Sequence, residues 1–429
     1  MRTLYFVESI HQDRNNDSGN SIFEIVLEDV RSAMELREKQ YEGHGGEDIE
    51  RVAESSYSRM VFPDMPILHD SNRSLREGWY VYYDSDKQMF LPAAEDKIAV
   101  ARRKENRELR RLMIAQYNPE EIEKSFSDQA QVKSYHVNVG HGNCTIILIR
   151  DNSFYTIWMV DCGAIDHISR GNYYSNIQAC FSNISKELEV PLDQLRISKF
   201  MLTHWHYDHI SGMQSLINDH YIDSQTQCYM NLYYGHSSQG VNNLLKELYR
   251  LRVACYEPTA RMALVPSIRI LHPECRIRKW YCIKDSKYRV VTKLNNTSVV
   301  YSISIGDKVM VCPGDLEKAG WDAMTKSSSC QKMPLCCTNY YCISHHGSLN
   351  GHVDINCLGK SYYLNIKQCL TRNMSKAILM GRDGAYNGIY DRGVINFWQP
   401  ILRYSEKDAV GSICRAYVLE WATGADYYL

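Results

Sequence analysis

The sequence lacks three features that would each assign the protein to a class. It contains no apolar run of about 18 residues, so no membrane-spanning helix is predicted. Its 15 cysteines form no Cys-x-x-Cys pair. Its formal net charge is only −1 at pH 7, so any attraction to nucleic acid must come from a local patch of charge. Composition therefore excludes a membrane span and a strongly basic nucleic-acid-binding protein.

The cysteines also lack the arrangement of a disulfide framework. Their number is odd, and they are scattered from Cys144 to Cys414. This pattern indicates reduced thiols and a cytoplasmic location. The N-terminus reaches a carboxylate at Glu8, too early for a secretory signal. The group Cys336, Cys337 and Cys342 is interpreted as buried structural thiols, since free cysteine is often buried.

The chain divides into two regions near residue 130. Its 429 residues exceed one ordinary domain, and 44% hydrophobic and 23% charged residues are typical of a folded chain. Up to residue 130 no motif indicates a function, whereas from residue 131 short strands end repeatedly in small or ligand-type residues. We therefore predict an N-terminal extension over residues 1–130 and a second domain over residues 131–429.

The N-terminal extension is predicted to be mostly helical. Ser21 is placed to cap a helix whose apolar residues follow helical spacing from Phe23 to Met34. Further helices are predicted over 47–60 and 94–116. Strands are predicted for the first ten residues and for a hairpin over 79–91.

The helix predicted over 94–116 is basic, and two interpretations are open. Its side chains could form a solvated face paired with acidic neighbours, or a face that contacts phosphates. At helical spacing Arg103, Arg107, Arg110 and Arg111 lie near one face. The basic residues are Lys97, Arg102, Arg103, Lys104, Arg107, Arg110 and Arg111.

The densest cluster of metal-capable side chains lies within residues 203–209. His204, His206, Asp208 and His209 follow an apolar run that favours a strand. So dense a run of imidazole and carboxylate favours a tight loop at a strand end, where side chains converge on one or two cations. Imidazole suits zinc, iron and manganese, and carboxylate adds charge for a hard divalent ion. The HxHxDH spacing therefore predicts a metal site.

Four motifs in order resemble the metallo-β-lactamase fold. They are Val160–Gly163 (VDCG), Thr203–His209 (THWHYDH), Pro313–Asp315 (PGD) and His345–Ser348 (HHGS). Within that superfamily the chain most resembles the ComEC-like branch, through Val139–Asn143 and the NxxS segment Asn295–Ser298. Asn138, His141 and Asn143 depart from the acidic and Gln residues usual in the opening of that branch. The resemblance covers residues 131–424 and implies a four-layer αβ/βα sandwich.

The resemblance also implies two divalent metal ions, zinc or manganese. One ion would be held by His204 and His206 with a third histidine. His236 is the best-placed third candidate, and His220 and His272 are weaker ones. The predicted ligands of the second ion are Asp208, His209 and one of His345 and His346, with Asp315 bridging both ions.

Catalytic and substrate-binding roles are expected around these ligands. Asp208 and His346 are predicted to act in catalysis, and Asp161 to orient a ligand histidine or the attacking water. The histidine of the 345–346 pair that binds no metal could contact substrate or protonate the leaving group. Substrate contacts are expected from Arg382, Asn387 and Ser348.

These expectations point to a metal-dependent hydrolase, and three hypotheses stay open. The first is a phosphodiesterase or nuclease acting on DNA or RNA. The second is a small-molecule phosphoesterase or an ester, lactone or lactam hydrolase, because the same metals serve all of these. The third is an effector held inactive by its N-terminal extension until a regulatory protein partner or a cleavage releases it, as the resemblance to bacterial defence effectors implies.

Overall fold

The computed structural model describes most of the chain. The described residues are 2–14, 21–33, 57–63, 66–69, 73–115, 126–152, 154–166, 171–232, 236–260, 266–273, 294–326, 335–353, 363–386 and 388–429. Among the described residues, the division predicted near residue 130 lies between a helix that ends at Ala115 and a strand that begins at Gln131. Below, described residues 2–115 are the N-terminal module and those from 126 onward are the sandwich domain.

The described residues of the N-terminal module are built on a sheet, so for them the prediction of a mostly helical extension is wrong. Its seven strands lie in the order β3-β2-β1-β6-β7-β4-β5, followed by the helix α1 (Lys97–Ala115). The strands are β1 (Arg2–Arg14), β2 (Ser21–Asp29), β3 (Tyr57–Phe62), β4 (Ile67–Leu68), β5 (Arg73–Ser74), β6 (Tyr80–Asp84) and β7 (Met89–Pro92).

The error arose at β2, where a helix had been predicted from Ser21. Burial in β2 is nearly continuous because both faces of the strand are covered. Ile25 and Leu27 face one apolar cluster, whereas Val26 faces another. A strand buried on both faces shows no alternation, so its apolar residues also satisfy helical spacing. The helix predicted over 47–60 is also wrong where the structure describes it, since β3 begins at Tyr57.

The basic helix α1 joins the N-terminal sheet to the sandwich domain. Arg102 is buried, and its Nη1 lies 2.8 Å from the Glu28 carboxylate. Arg110 donates from Nη1 to the carbonyl oxygen of Leu232 at 2.8 Å. Arg107 and Arg111 are exposed. For Arg102 and Arg110 these contacts favour a structural role over a phosphate-contacting one.

The sandwich domain contains an eight-stranded and a six-stranded sheet. Their orders are β15-β14-β13-β10-β9-β8-β22-β23 and β16-β17-β18-β19-β20-β21; a two-stranded ribbon is formed by β11 (Ile165–Asp166) and β12 (Gly171–Asn172). The first sheet comprises β8 (Gln131–Val137), β9 (Cys144–Asp151), β10 (Phe154–Cys162), β13 (Lys199–Met201), β14 (Gln227–Tyr229), β15 (Ala254–Tyr256), β22 (Ala416–Glu420) and β23 (Asp426–Tyr428). The second comprises β16 (Ile268–His272), β17 (Val300–Ile305), β18 (Lys308–Cys312), β19 (Tyr340–Cys342), β20 (Lys376–Leu379) and β21 (Leu402–Tyr404).

The two sheets pack face to face, with helices on both outer faces. In β9, Ile147 and Ile149 contact the second sheet, whereas Ile146 and Leu148 face the helices of the first; this alternation is the period-two pattern of a strand. The helices are α2 (Tyr174–Leu188), α3 (Tyr207–Ile210), α4 (Met213–Asn218), α5 (Gln239–Arg250), α6 (Lys318–Lys326), α7 (Tyr363–Thr371) and α8 (Arg392–Trp398). Side chains of α2, α4 and α5 cover the first sheet, and those of α6, α7 and α8 cover the second. The predicted four-layer αβ/βα sandwich is confirmed.

Two findings bear on the expectations from composition. Across the helices that the structure describes, none is long and apolar enough to cross a membrane. The cysteines in the described ranges form no disulfide with one another. In the group interpreted as buried, Cys342 is buried, Cys336 is partly buried and Cys337 is exposed, so that interpretation is wrong for Cys337.

Candidate metal centre

Parallel strands bring the predicted ligands to one edge of the sandwich. β10 and β13 are parallel neighbours, as are β18, β19 and β20. Their carboxyl ends therefore meet at the same edge. Asp161 lies at the end of β10, and the loop from His204 to His209 follows β13. Asp315 follows β18 and His346 follows β19, so segments distant in sequence meet at one site.

The backbone at this edge is strained. Asp161, His345 and His346 have φ angles of 55°, 50° and 48°. This left-handed conformation costs a non-glycine residue roughly 1–2 kcal/mol. Such residues persist where the surrounding structure holds them, and they cluster at functional sites.

Glycines in two of the motifs, VDCG and PGD, let the backbone of these motifs lie close against the ligand loop. A Cβ at Gly163 would lie 2.1 Å from the backbone oxygen of Asp208. At Gly314, where φ is +57°, a Cβ would lie 2.5 Å from the Thr203 side chain. Any side chain at either position would push the loop that carries the histidines away from its neighbours.

Asp208, His209, Asp315 and His346 form one buried cluster, here called the acidic group. His346 Nε2 lies 3.1 Å from Asp208 Oδ2 and 3.5 Å from Asp315 Oδ2. His209 Nε2 lies 3.3 Å from Asp315 Oδ1 and 3.7 Å from Asp208 Oδ2. Two imidazole nitrogens and two carboxylates thus face a common point.

His204, His206 and Asp315 form a second buried cluster, here called the histidine group. His204 Nε2 lies 3.0 Å from His206 Nδ1 and 3.9 Å from Asp315 Oδ2. Burial lowers the pKa of both imidazoles well below the usual value, so both are neutral and able to act as ligands. Asp315 belongs to both groups, as its predicted bridging role requires.

The donor set fits divalent metal ions. Ligands about 2.0–2.2 Å from one ion lie about 3–4 Å from each other, which matches the separations of 3.0–3.9 Å here. His209 Nε2 and Asp315 Oδ1, which both face the common point, are buried without a hydrogen-bond partner, an arrangement that is costly unless another group satisfies these atoms. Zinc and manganese both accept mixed imidazole and carboxylate ligands.

The outer nitrogens of three ligand histidines are held by other groups. His209 Nδ1 lies 2.8 Å from Asp161 Oδ2. His346 Nδ1 lies 3.0 Å from the carbonyl oxygen of Met380, and His204 Nδ1 lies 3.2 Å from the Thr203 hydroxyl. Such contacts select the tautomer and aim the other nitrogen at the metal. Asp161 thus lies where its predicted orienting role requires.

Electrostatics in the acidic group favour protonated imidazoles when no metal is bound. Burial opposes charge, yet Asp315 and Asp208 outweigh it and raise the pKa of His346 to about 10. They also raise the pKa of His209 well above its usual value. Despite burial, the same contacts hold the pKa of both carboxyls well below the usual range. Protons on His346 and His209 therefore balance the carboxylates that a metal would otherwise neutralise.

Metal binding to the acidic group should therefore release about two protons per chain at pH 7, one from each imidazole. Since the pKa of His346 is raised to about 10, metal affinity should increase with pH throughout the neutral range. Calorimetric titration with zinc in two buffers of different ionisation enthalpy measures the proton count. If His346→Ala released as many protons on zinc binding as the unsubstituted protein, this account would be contradicted.

The remaining predicted residues lie outside both groups. His345 turns away, with Nδ1 at 3.5 Å from Glu317 Oε1, and His236 Nε2 lies 3.4 Å from Glu8 Oε2. The Ser348 hydroxyl accepts from the amide of Asn350 at 3.1 Å within a turn. Each of these three residues contacts another group of the protein. Metal binding by His236 or His345 and substrate binding by Ser348 therefore stay predictions.

The loop after β20 bears on the predicted substrate contacts. Arg382 Nε lies 3.1 Å from Asp166 Oδ2, and the arginine side chain is 34% exposed. Asp166 also accepts a hydrogen bond from the amide of His141 at 3.3 Å. Arg382 is therefore linked to the site indirectly, through Asp166. Asn387 lies outside the described residues.

Sequence reasoning missed His141 as part of the site. Its Nε2 lies 3.4 Å from Asp208 Oδ2, and its ring centroid is 4.2 Å from that of His346. Tyr386 packs edge-on against it at 4.7 Å. His141 was noticed only as a departure from the family pattern; its position just after a strand was the available signal.

The N-terminal module also reaches this edge. His11 of β1 stacks on Tyr386, with ring centroids 3.9 Å apart, and Tyr57 of β3 contacts Tyr207 at 4.5 Å. No local signal in the sequence connects these residues, because the contacts join distant parts of the chain.

Comparisons with known proteins show only distant likeness. No protein-family model and no curated protein sequence matches the chain. The metallo-β-lactamase fold protein YhfI from Bacillus subtilis is 12% identical, with a TM-score of 0.36, over 68% of this chain and 99% of that one. A new diphosphatase from the PhnP family is 8% identical, with a TM-score of 0.31, over 64% and 94%. A metallo-β-lactamase from Hirschia baltica is 14% identical, with a TM-score of 0.22, over 47% and 73%. Likenesses this low transfer neither activity nor family membership to this chain.

Proposed function

We propose that the protein is a metal-dependent hydrolase that cleaves phosphate diesters with water. The observation that carries this proposal is the sharing of Asp315 between two buried ligand groups. A shared carboxylate would hold two ions side by side, the arrangement that serves in-line displacement at phosphorus. His204 and His206 would hold one ion, and Asp208, His209 and His346 the other.

When bound, the ions would lower the pKa of a water molecule and neutralise charge on the phosphate. The protein's own groups orient these partners. Asp161 accepts hydrogen bonds from the amide and hydroxyl of Thr203, at 2.7 and 2.8 Å, while also contacting His209. Asp161 thereby fixes both the start of the ligand loop and one of its imidazoles.

His141 is suited to protonate the leaving oxygen. It lies beside Asp208 and His346, and neither ligand group includes it. An alkoxide leaving group needs a proton as the ester bond breaks, and a positioned imidazole supplies one efficiently near neutral pH. From the sequence, this role is predicted for whichever of His345 and His346 binds no metal. His141 is better placed for it than His345, because it lies beside Asp208 and His346.

Leaving-group dependence tests this role. His141→Asn should slow hydrolysis of a methyl or other alkyl phosphodiester by about 100-fold or more. Hydrolysis of bis-p-nitrophenyl phosphate should change much less, because p-nitrophenolate leaves without a proton. The kcat ratio of the two substrates is the measurement, and equal losses on both would contradict the assignment.

A substrate panel tests the activity itself. The protein is loaded with zinc or manganese and given bis-p-nitrophenyl phosphate, p-nitrophenyl phosphate, nitrocefin and labelled DNA and RNA. Hydrolysis of the phosphodiester is expected, and it should disappear in Asp208→Ala. Turnover of nitrocefin alone would contradict the proposal in favour of lactam hydrolysis, and turnover of the monoester alone would favour a phosphomonoesterase.

The panel also distinguishes a nuclease from an enzyme that hydrolyses small phosphodiesters. Arg102 and Arg110, which had suggested a phosphate-binding helix, are engaged within the protein. The metal ligands are nearly inaccessible, with Asp208 the most exposed at 7%. Both observations support a small diester or a flexible strand end as substrate over duplex nucleic acid.

A further inference from the structure

The loop that carries His236 is held by the N-terminal module. This loop enters α5 beside the metal-ligand loop, yet several of its polar contacts come from the other domain. Three hydrogen bonds join Asn106 to the carbonyl of His236, Tyr80 to that of Ser237, and the amide of Gln239 to Glu28, at 2.6, 2.7 and 2.9 Å. The rings of Phe6 and His236 also pack in a T-shaped arrangement, with centroids 5.0 Å apart.

Glu8 of β1 reaches the loop that carries the metal ligands. The pairing of β1 with β2 shifts register between Val7 and Ser9, which leaves Glu8 as the extra residue of a β-bulge. Bulges re-aim side chains and are over-represented next to active sites. Here the carboxylate is 2% exposed and enters the edge where the metal ligands converge.

Both oxygens of Glu8 contact the sandwich domain. Oε1 accepts from the backbone N–H of Tyr207 at 3.1 Å, and Tyr207 separates the ligands His206 and Asp208 in sequence. Oε2 lies 3.4 Å from His236 Nε2. One side chain of the N-terminal sheet thus connects the ligand loop to the His236 loop.

A buried carboxylate in this position is costly to the fold. Glu24 and Glu28 of the same sheet are also buried, but each pairs with an arginine, Arg59 and Arg102. At Glu8, Oε2 and both ring nitrogens of His236 have no hydrogen-bond partner. Burial of polar groups without partners costs a few kcal/mol, so packing alone does not account for an acid here.

We propose that Glu8 is a positioning residue of the metal centre, supplied across the domain interface. It holds the ligand loop through the backbone N–H of Tyr207 and lies against the His236 ring. The inference rests on the proposed metal centre, and it predicts that the N-terminal module supports metal binding instead of suppressing activity.

The test compares metal affinity and the visible spectrum of the cobalt-loaded full-length protein across four variants. Glu8→Met removes the acceptor, Glu8→Asp shortens it, and Glu8→Gln keeps an acceptor for Tyr207. The matched control is Glu77→Met, because Glu77 is buried in the same module and also joins the domains, accepting from the amides of Ile10 and Leu294 at 3.0 and 3.3 Å.

Glu8→Met and Glu8→Asp should weaken cobalt binding by about 10- to 100-fold, the size of effect seen when an outer contact that orients a metal site is lost; here that contact is to the backbone of the ligand loop. They should also shift the cobalt absorption bands, whereas Glu8→Gln and Glu77→Met should keep the wild-type affinity and spectrum. If Glu8→Met fails to fold, Glu8→Asp carries the test, because it keeps the carboxyl group.

Two results would overturn the proposal. Wild-type affinity and spectrum in Glu8→Asp would limit Glu8 to a structural role, even if thermal stability fell. Loss of binding in Glu8→Gln equal to that in Glu8→Met would make Glu8 a metal ligand and not a positioning residue. Absence of cobalt binding by the unsubstituted protein would contradict the metal centre itself, and so is distinguishable from failure of this proposal.

Discussion

Asp315→Ala should abolish metal binding at both sites and lower phosphodiester hydrolysis by at least about 1,000-fold. Asp315 belongs to both ligand groups, so its removal takes a ligand from each ion. The loss in rate corresponds to about 4 kcal/mol of transition-state stabilisation, which is within the several kcal/mol that a metal supplies. Metal content by mass spectrometry and kcat/KM for bis-p-nitrophenyl phosphate are the measurements.

Asp307 provides a matched control for Asp315. Both carboxylates flank β18, but Asp307 lies at the turn before the strand, where its side chain is 84% exposed and contacts Lys308. Asp307→Ala should therefore keep both metals and full activity. If Asp315→Ala retained one tightly bound ion, the carboxylate would not bridge, and the two groups would be independent sites.

His346→Ala and His345→Ala should have opposite consequences although the residues are adjacent. His346 faces Asp208 and Asp315, so its loss should remove one ion and lower activity by about 1,000-fold. His345 contacts Glu317 and Asn295 instead, so His345→Ala should keep both ions and most of the activity. Metal stoichiometry and kcat of the two variants are compared directly.

The backbone makes this comparison well matched. Both residues are buried and have φ angles near +50°, so alanine carries the same backbone strain at either position. Thermal unfolding should then be affected similarly, and only metal content should separate the variants. Loss of one ion in His345→Ala with two retained in His346→Ala would reverse the assignment of the pair.

The sandwich was predictable because its site residues follow strands of simple pattern. Each segment that ends in Asp161, His204 or Asp315 is a short apolar run, and such runs converge at one edge when strands are parallel. The choice between His345 and His346 was not predictable in this way. Which ring faces the cluster depends on left-handed φ angles that sequence alone does not specify for histidine.

The N-terminal module was mispredicted because tertiary contacts override local pattern there. In β2, Glu24 and Glu28 are buried by pairing with arginines distant in sequence, so polarity no longer marks the exposed face. The same reason concealed Glu8, whose partners Tyr207 and His236 lie in the other domain. Contacts across a domain interface leave no periodic signal in the sequence.

Anomalous diffraction from crystals of the zinc- or manganese-loaded protein tests the central claim most directly. The account predicts two peaks, both within about 2.0–2.2 Å of an Asp315 oxygen. One peak should also contact His204 and His206, and the other Asp208, His209 and His346. A single peak, or peaks that share no ligand, would contradict a dinuclear centre bridged by Asp315.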